Sequence, residues 1–186
     1  MSSAVNQAAR QMGLSAPAVA SLQPDMTPQA AIRTLLGGGQ TQDALKLLAR
    51  LLPKRYAVAW LCQCARDQTL AMEDKAGASL AEAWVREPAE GNRRAAFEFA
   101  NAGGYKSIGA WLAAAAGWSG GSLAPPAQER PVPPAEHLTA CATVAAVNLM
   151  AALVIDQFEA RRLAFIERAM SLLHTGDAAG GHTRET

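Results

Sequence analysis

The chain holds little of what chemistry is usually built from. Its 186 residues include three cysteines and three histidines, and aromatic side chains make up only 5%. The cysteine count is odd, and two of the three stand as Cys62-x-Cys64. No disulfide framework follows from that pattern, and a reducing cytoplasm suits it best. On a helix, residues two apart point about 200° from one another, so the two thiols diverge. No second cysteine pair or histidine stands at zinc spacing, so no metal is expected. His137, His174 and His182 are isolated; His174, near a helix C-terminus, reads as a cap compatible with the helix dipole. No Ser-His-Asp or Cys-His grouping is marked by any motif, so no catalytic residue and no cofactor are expected. Neither sign of charge dominates either. A net charge of +1 creates no global field for nucleic acid or an anionic membrane.

β-Branched residues are scarce as well. Valine and isoleucine together number 12 against 42 alanines. Alanine is the best helix former and β-branched residues favour strands, so the balance predicts an all-α protein.

One long apolar run is present: 138–155, eighteen residues without a charge. A bilayer span needs about 20 mostly apolar residues, so length alone leaves a membrane helix open. Composition favours a buried helix instead. Six of the eighteen are alanine, Thr139, Thr143 and Asn148 interrupt the rest, and neither end carries a Trp or Tyr anchor. A helix apolar all round is expected at the centre of a bundle.

The rest divides into helices by its punctuation. Residues 1–25 are weakly periodic and read as a flexible arm with a short helix near Val5–Met12. Thr27 and Pro28 open a first helix that ends at Gly37-Gly38-Gly39. Thr41 is expected to cap a second, striped with leucine. Pro53 starts a third, with Ala57, Trp60, Leu61 and Cys64 inward. A fourth covers about 70–86, with Ala76, Leu80, Ala83 and Trp84 inward. A fifth runs from Pro88 to about Ala102 and buries Ala95, Ala96, Phe99 and Ala100. Ser107 caps a sixth, IGAWLAAAAGW. The proline-rich strip 125–134 reads as an extended surface connector. The apolar run is the seventh helix. An eighth, capped by Asp156, turns Arg161, Arg162, Glu167 and Arg168 largely to water. The expected architecture is a single irregular antiparallel bundle of about eight helices over 26–174, with a disordered tail over 175–186.

Gly37-Gly38-Gly39-Gln40-Thr41 precedes a helix but lacks the Gly-Lys-Ser/Thr ending of an anion cradle, so a helix–helix turn is expected. Arg86, Arg93 and Arg94 form a small basic group that Glu82, Glu87, Glu90 and Glu98 dilute; it reads as a solvated face. Trp60, Trp84, Trp111 and Trp118 lie beside alanines, where large rings fill the gaps small residues leave. A tryptophan at a surface groove would instead anchor a protein partner. Trp118, beside a glycine turn, is the foremost candidate for that role, followed by Arg93, Arg94 and Trp84.

Three stretches are similar to one family when taken together. LPKRYAVAWLCQCAR (52–66) carries Leu52, Pro53, Lys54, Arg55, Ala57, Val58 and Trp60. AEAWVREPAEGNRRAAFEFA (81–100) carries Ala83-Trp84-Val85, Pro88, Arg93 and Arg94. AGWSGGSLAPP (116–126) carries Trp118-Ser119-Gly120-Gly121-Ser122-Leu123. Over about 28–173 the chain resembles small bacterial proteins of unknown function encoded near type VI secretion effector and spike genes. It departs from that pattern at Tyr56, where the family has an acid, and at Ala59, where it has a second aromatic. The resemblance implies a non-enzymatic cytoplasmic accessory or adaptor of effector or spike assembly, with a protein partner. Two alternatives stand beside it: a membrane-associated component anchored by 138–155, and a small-molecule binder or enzyme using the Trp118 and Arg93 region.

Overall fold

The computed structural model describes residues 3–125 and 127–173. It is all-α: ten α-helices and no strand among the described residues. They are α1 (Ala4–Gln11), α2 (Ala16–Ser21), α3 (Pro28–Gly37), α4 (Thr41–Leu51) and α5 (Lys54–Arg66). Then come α6 (Met72–Arg86), α7 (Glu90–Ala102), α8 (Ile108–Gly117), α9 (Leu138–Ala152) and α10 (Phe158–Met170). His174, His182 and the tail expected from 175 lie outside the described residues. The chain forms two compact units. One comprises the described residues of 1–53 and 159–186, the other Lys54–Phe158.

In the first unit the stretch expected to be a flexible arm with a short helix near Val5–Met12 holds two helices, α1 where that helix is expected and α2 after it. Ser3 caps α1 by accepting from the Asn6 amide, and Ser15 caps α2 by accepting from the Ala18 amide. Both serines satisfy amides that a helix start leaves orphaned. Val5, Ala8 and Ala9 are buried, and α1 packs on α4. Asp43 of α4 fastens the connection between α1 and α2. Its carboxylate accepts from the Ser15 amide at 3.1 Å and from the Ser15 hydroxyl at 2.7 Å. Of the two helices only α2 escapes sequence reading, because six residues are too few to display a helical period.

Thr41 is the first helical residue of α4 rather than its cap; Gln40 holds that place without a side-chain bond. Asp156 likewise sits in a 3₁₀ turn, Ile155–Gln157, ahead of α10. Arg162, expected to face water, is buried. It donates to the Gln42 side chain at 2.8 Å and forks onto Glu159 one turn earlier.

The second unit is organised around α8, on which α5, α6, α7 and α9 all pack. Nine of the 10 residues of α8 are buried, the exception being Trp111. Small side chains permit this crowding. A methyl group on Gly77 of α6 would fall on the Gly109 carbonyl of α8, and one on Gly109 would stand 2.6 Å from the Asp74 Cα. The two backbones therefore touch. Asp74 uses the closeness, accepting from the Gly109 amide at 2.7 Å at the start of α8. A carboxylate there meets both the orphaned amide and the positive end of the helix dipole. The contact also rotates α6 from its expected setting. Gly77, Ala81 and Trp84 are buried, whereas Ala76 is exposed. On α7, Arg93, Ala96 and Ala100 are buried and Ala95 is not.

The uncharged helix is buried as expected, but α8 rather than α9 takes the central place. Nine of the 15 residues of α9 are buried, and Thr139 donates to the Ala115 carbonyl of α8 at 3.0 Å. It ends at Ala152, three residues short of the apolar run. Leu153 and Val154 close it with bonds reaching back only three residues, the tightened ending common at helix C-termini. Leu153, Val154 and Ile155 are exposed, so the buried part of the run is shorter than its apolar length. Among the described residues no single helix is long and apolar enough to cross a membrane.

Candidate functional site: an aromatic triangle beside an arginine-pinned loop

Three partly exposed rings meet where α7 hands over to α8. Tyr105 lies 5.6 Å from Trp111 and 5.2 Å from Trp118, and the two tryptophans are 6.0 Å apart, edge to face. Such offset and edge-on arrangements add attraction beyond the apolar area buried. Each ring comes from a different local device. Trp111 projects from the otherwise buried α8, and Trp118 is the residue at which that helix ends. Tyr105 follows the glycine pair that closes α7. It is the one non-glycine residue with positive φ among the described residues, at +56°. That backbone costs an ordinary residue roughly 1–3 kcal/mol and persists only where its surroundings over-determine it. Burial pushes the Tyr105 phenol above its ordinary pKa, offset in part by a hydrogen bond from Trp118.

The loop that carries Trp118 is pinned from beneath by α7. Arg93 is 3% exposed. It forks onto the Glu90 carboxylate with two 2.6 Å bonds and donates to the Gly117 carbonyl at 2.6 Å and the Ser122 carbonyl at 3.2 Å. Arg94 adds a bond to the Ala124 carbonyl at 2.9 Å. A planar guanidinium suits this task because it presents several donors in one fixed fork. Gly121, at φ +63°, leaves space for it: a side chain there would stand 2.5 Å from the Arg93 Nε. The ion pair with Arg93 draws Glu90 below the usual carboxylate range. Ser122 closes the loop by accepting from the amides of Ala124 and Val132.

The four residues expected to meet a partner thus separate. Trp118 is partly exposed and belongs to the triangle. Arg93 and Arg94 hold the loop in place, and Arg93 is inaccessible from outside. Trp84 is 7% exposed and fills the core, away from any such role. Sequence reading missed Tyr105 and Trp111 as members. Trp111 could have been found from its place as the one bulky ring in an otherwise small-residue helix; the positive φ of Tyr105 has no sequence signal beyond the two glycines before it.

A concavity of about 280 Å³ lies between α5 and α6 and is lined by Cys62, Arg66, Leu70, Lys75 and Glu82 among others. Arg66 and Glu82 bridge it at 2.8 Å. Burial, reinforced by the Glu82 charge, pushes the Cys62 thiol up to about 12. It is therefore un-ionised at neutral pH and is not a nucleophile, since the thiolate is the reactive form. Among the described residues no group of three His, Cys, Asp or Glu is placed to hold a metal ion.

An all-α fold carrying a half-open aromatic cluster defines the broad class. Within it, the chain belongs to DUF6931, a family of unknown function, whose pattern it matches over residues 31–173. The match takes in the triangle, the arginine pair and the pinned loop. No curated protein and no solved structure matches the chain.

Proposed function

We propose that this protein is a non-catalytic protein-interaction module whose partner-binding face is the Tyr105–Trp111–Trp118 triangle. The carrying observation is Trp111. In a helix otherwise buried, its large apolar ring is partly exposed beside two others. Rigid aromatic anchors of this kind supply most of the energy at protein interfaces, at small cost in side-chain entropy. Backbone strain at Tyr105 and a buried arginine beneath the loop support the same reading, because both hold the rings in position before any partner arrives. Following the resemblance described above, the module serves in the cytoplasm as an accessory or adaptor of type VI secretion effector or spike assembly.

The test is co-purification of the chain with effector and spike proteins encoded beside its gene. Wild type is compared with Tyr105→Ala and Trp118→Ala variants whose helical circular dichroism matches it. Recovery from wild type and loss from the variants is the expected result. If wild type retains none of those proteins while the secretion apparatus is assembled, the assignment to secretion fails. Equal recovery by wild type and variants removes the triangle from the reading.

A further inference from the structure

We propose that the hollow between α5 and α6 is a binding site for a small organic carboxylate with a compact apolar body, its charge met by Arg66 and Lys75. The hollow shares no residue with the aromatic triangle, so the inference stands whether or not the triangle binds a partner.

Helical spacing builds the walls. Cys62, Ala65 and Arg66 stand three and four residues apart on α5, as do Lys75, Ala78, Ser79 and Glu82 on α6, so each set shares one face. The two helices pack together, and Leu70 lies in the connection between them. Alanine at 65 and 78 leaves space that a larger side chain would fill. Cys62, Ala65 and Leu70 are buried and form an apolar floor. The Cys62 thiol, un-ionised at neutral pH, adds no charge to it. The volume of about 280 Å³ compares with about 150 Å³ for a cavity that takes up benzene. An apolar body of one or two rings is therefore of the right size.

The charged groups at the rim decide the sign of the ligand. Arg66 gives its Nε–H to Glu82 at 2.8 Å, and its guanidinium makes no other hydrogen bond among the described residues. Glu82 thereby orients the guanidinium and leaves its terminal N–H groups for a planar carboxylate, which they match as a fork. Exposed Lys75 has no acid partner among the described residues. Two cations against one engaged acid leave a surplus of one positive charge around the hollow. A single carboxylate balances that surplus, and a cationic ligand meets repulsion. An inorganic anion leaves the apolar floor uncovered. A concave, mainly apolar wall with a few converging polar groups is the usual form of a small-molecule site.

Calorimetric titration of the full chain with naphthoate tests the proposal, beside the neutral isostere naphthamide. Expected is saturable one-site binding of the acid, with the amide held about tenfold more weakly because it loses the attraction of both cations. Lys75→Met keeps the apolar stem of an exposed side chain. It should weaken the acid about fivefold, the scale of one exposed ion pair, and leave the amide unchanged. Ala78→Phe should fill the hollow and abolish binding of both compounds while its helical circular dichroism matches wild type. Trp118→Ala should bind both as wild type does. No saturable heat at millimolar naphthoate, or equal affinity for acid and amide, overturns the proposal. So does binding that survives Ala78→Phe and disappears with Trp118→Ala, which would put the probe at the triangle. Should Ala78→Phe fail to fold, Lys75→Met decides: an affinity for the acid equal to that of wild type overturns the site.

Discussion

Arg93 of α7 donates to the Gly117 carbonyl at the last residue of α8, a 2.6 Å bond in a buried setting. The same guanidinium holds Glu90 and Ser122, so one side chain couples two helices to the loop bearing Trp118. Arg93→Ala strands the Gly117 carbonyl in the interior and should cost about 2–4 kcal/mol. Arg93→Lys keeps the charge but not the fork and should recover only a minor share. Urea unfolding measures both, and tryptophan emission should report a displaced Trp118 ring in each variant.

Acid should loosen the same loop. Glu90 has its folded-state pKa held below the ordinary 4.5, chiefly by the hydrogen bond from Arg93. A depressed carboxylate contributes stability that is fully present above about 4.5 and is lost as pH falls through the folded value. Amide exchange or emission followed downward from pH 6 should stay flat to about 4.5 and change below it. Glu90→Gln should remove that acid step. Because Glu90 is 61% exposed, salt should diminish the effect.

Gly77→Ala should destabilise the second unit by about 3 kcal/mol, since the added carbon meets backbone that cannot rotate away. Gly91→Ala is the control. It lies in α7 with nothing near an added methyl, and removing a helical glycine there should stabilise by about 0.5–1 kcal/mol. Opposite signs in thermal melts are the expected outcome.

Cys62 should make the protein sensitive to alkali. Its thiol ionises near 9.0 when unfolded but only at about 12 in the fold. Between those values the unfolded chain has released a proton that the folded chain keeps, so stability falls as pH rises through that window. Cys62→Ala should flatten this limb of the denaturation profile. A thiol reagent at pH 7.5 should modify native Cys62 no faster than the chain opens.

Asp43→Ala should free the N-terminal helices. Its loss leaves the Ser15 amide and hydroxyl without their acceptor and should cost about 1–3 kcal/mol. Hydrogen exchange should accelerate across α1 and α2 more than across α4.

Much of the helical framework is written in local punctuation. Thr27-Pro28, Ser107, the glycine triplet that ends α3 and the glycine pair after α7 mark their boundaries because capping chemistry acts within one turn of chain. What local pattern conceals is the identity of the central helix. The longest apolar run, 138–155, draws attention by length, whereas α8, only 10 residues long, holds the middle of the second unit. Its alanines read as mild hydrophobes; their importance is steric, and it emerges only against Gly77 of another helix. The same holds for Arg93. Charge beside charge suggests a solvated surface, and only the Gly121 turn, 28 residues further on, makes a buried guanidinium possible. Trp118 could be singled out from its glycine neighbours, but its partners Tyr105 and Trp111 depend on how α7 turns into α8.

The left-handed backbone at Tyr105 sets durability against recognition. Glycine in its place would relax the main chain, as it does wherever a fold demands that conformation, and would also delete one of the three rings. A search for heat-resistant variants should therefore favour glycine at 105, and a search for variants that hold their partner should restore tyrosine.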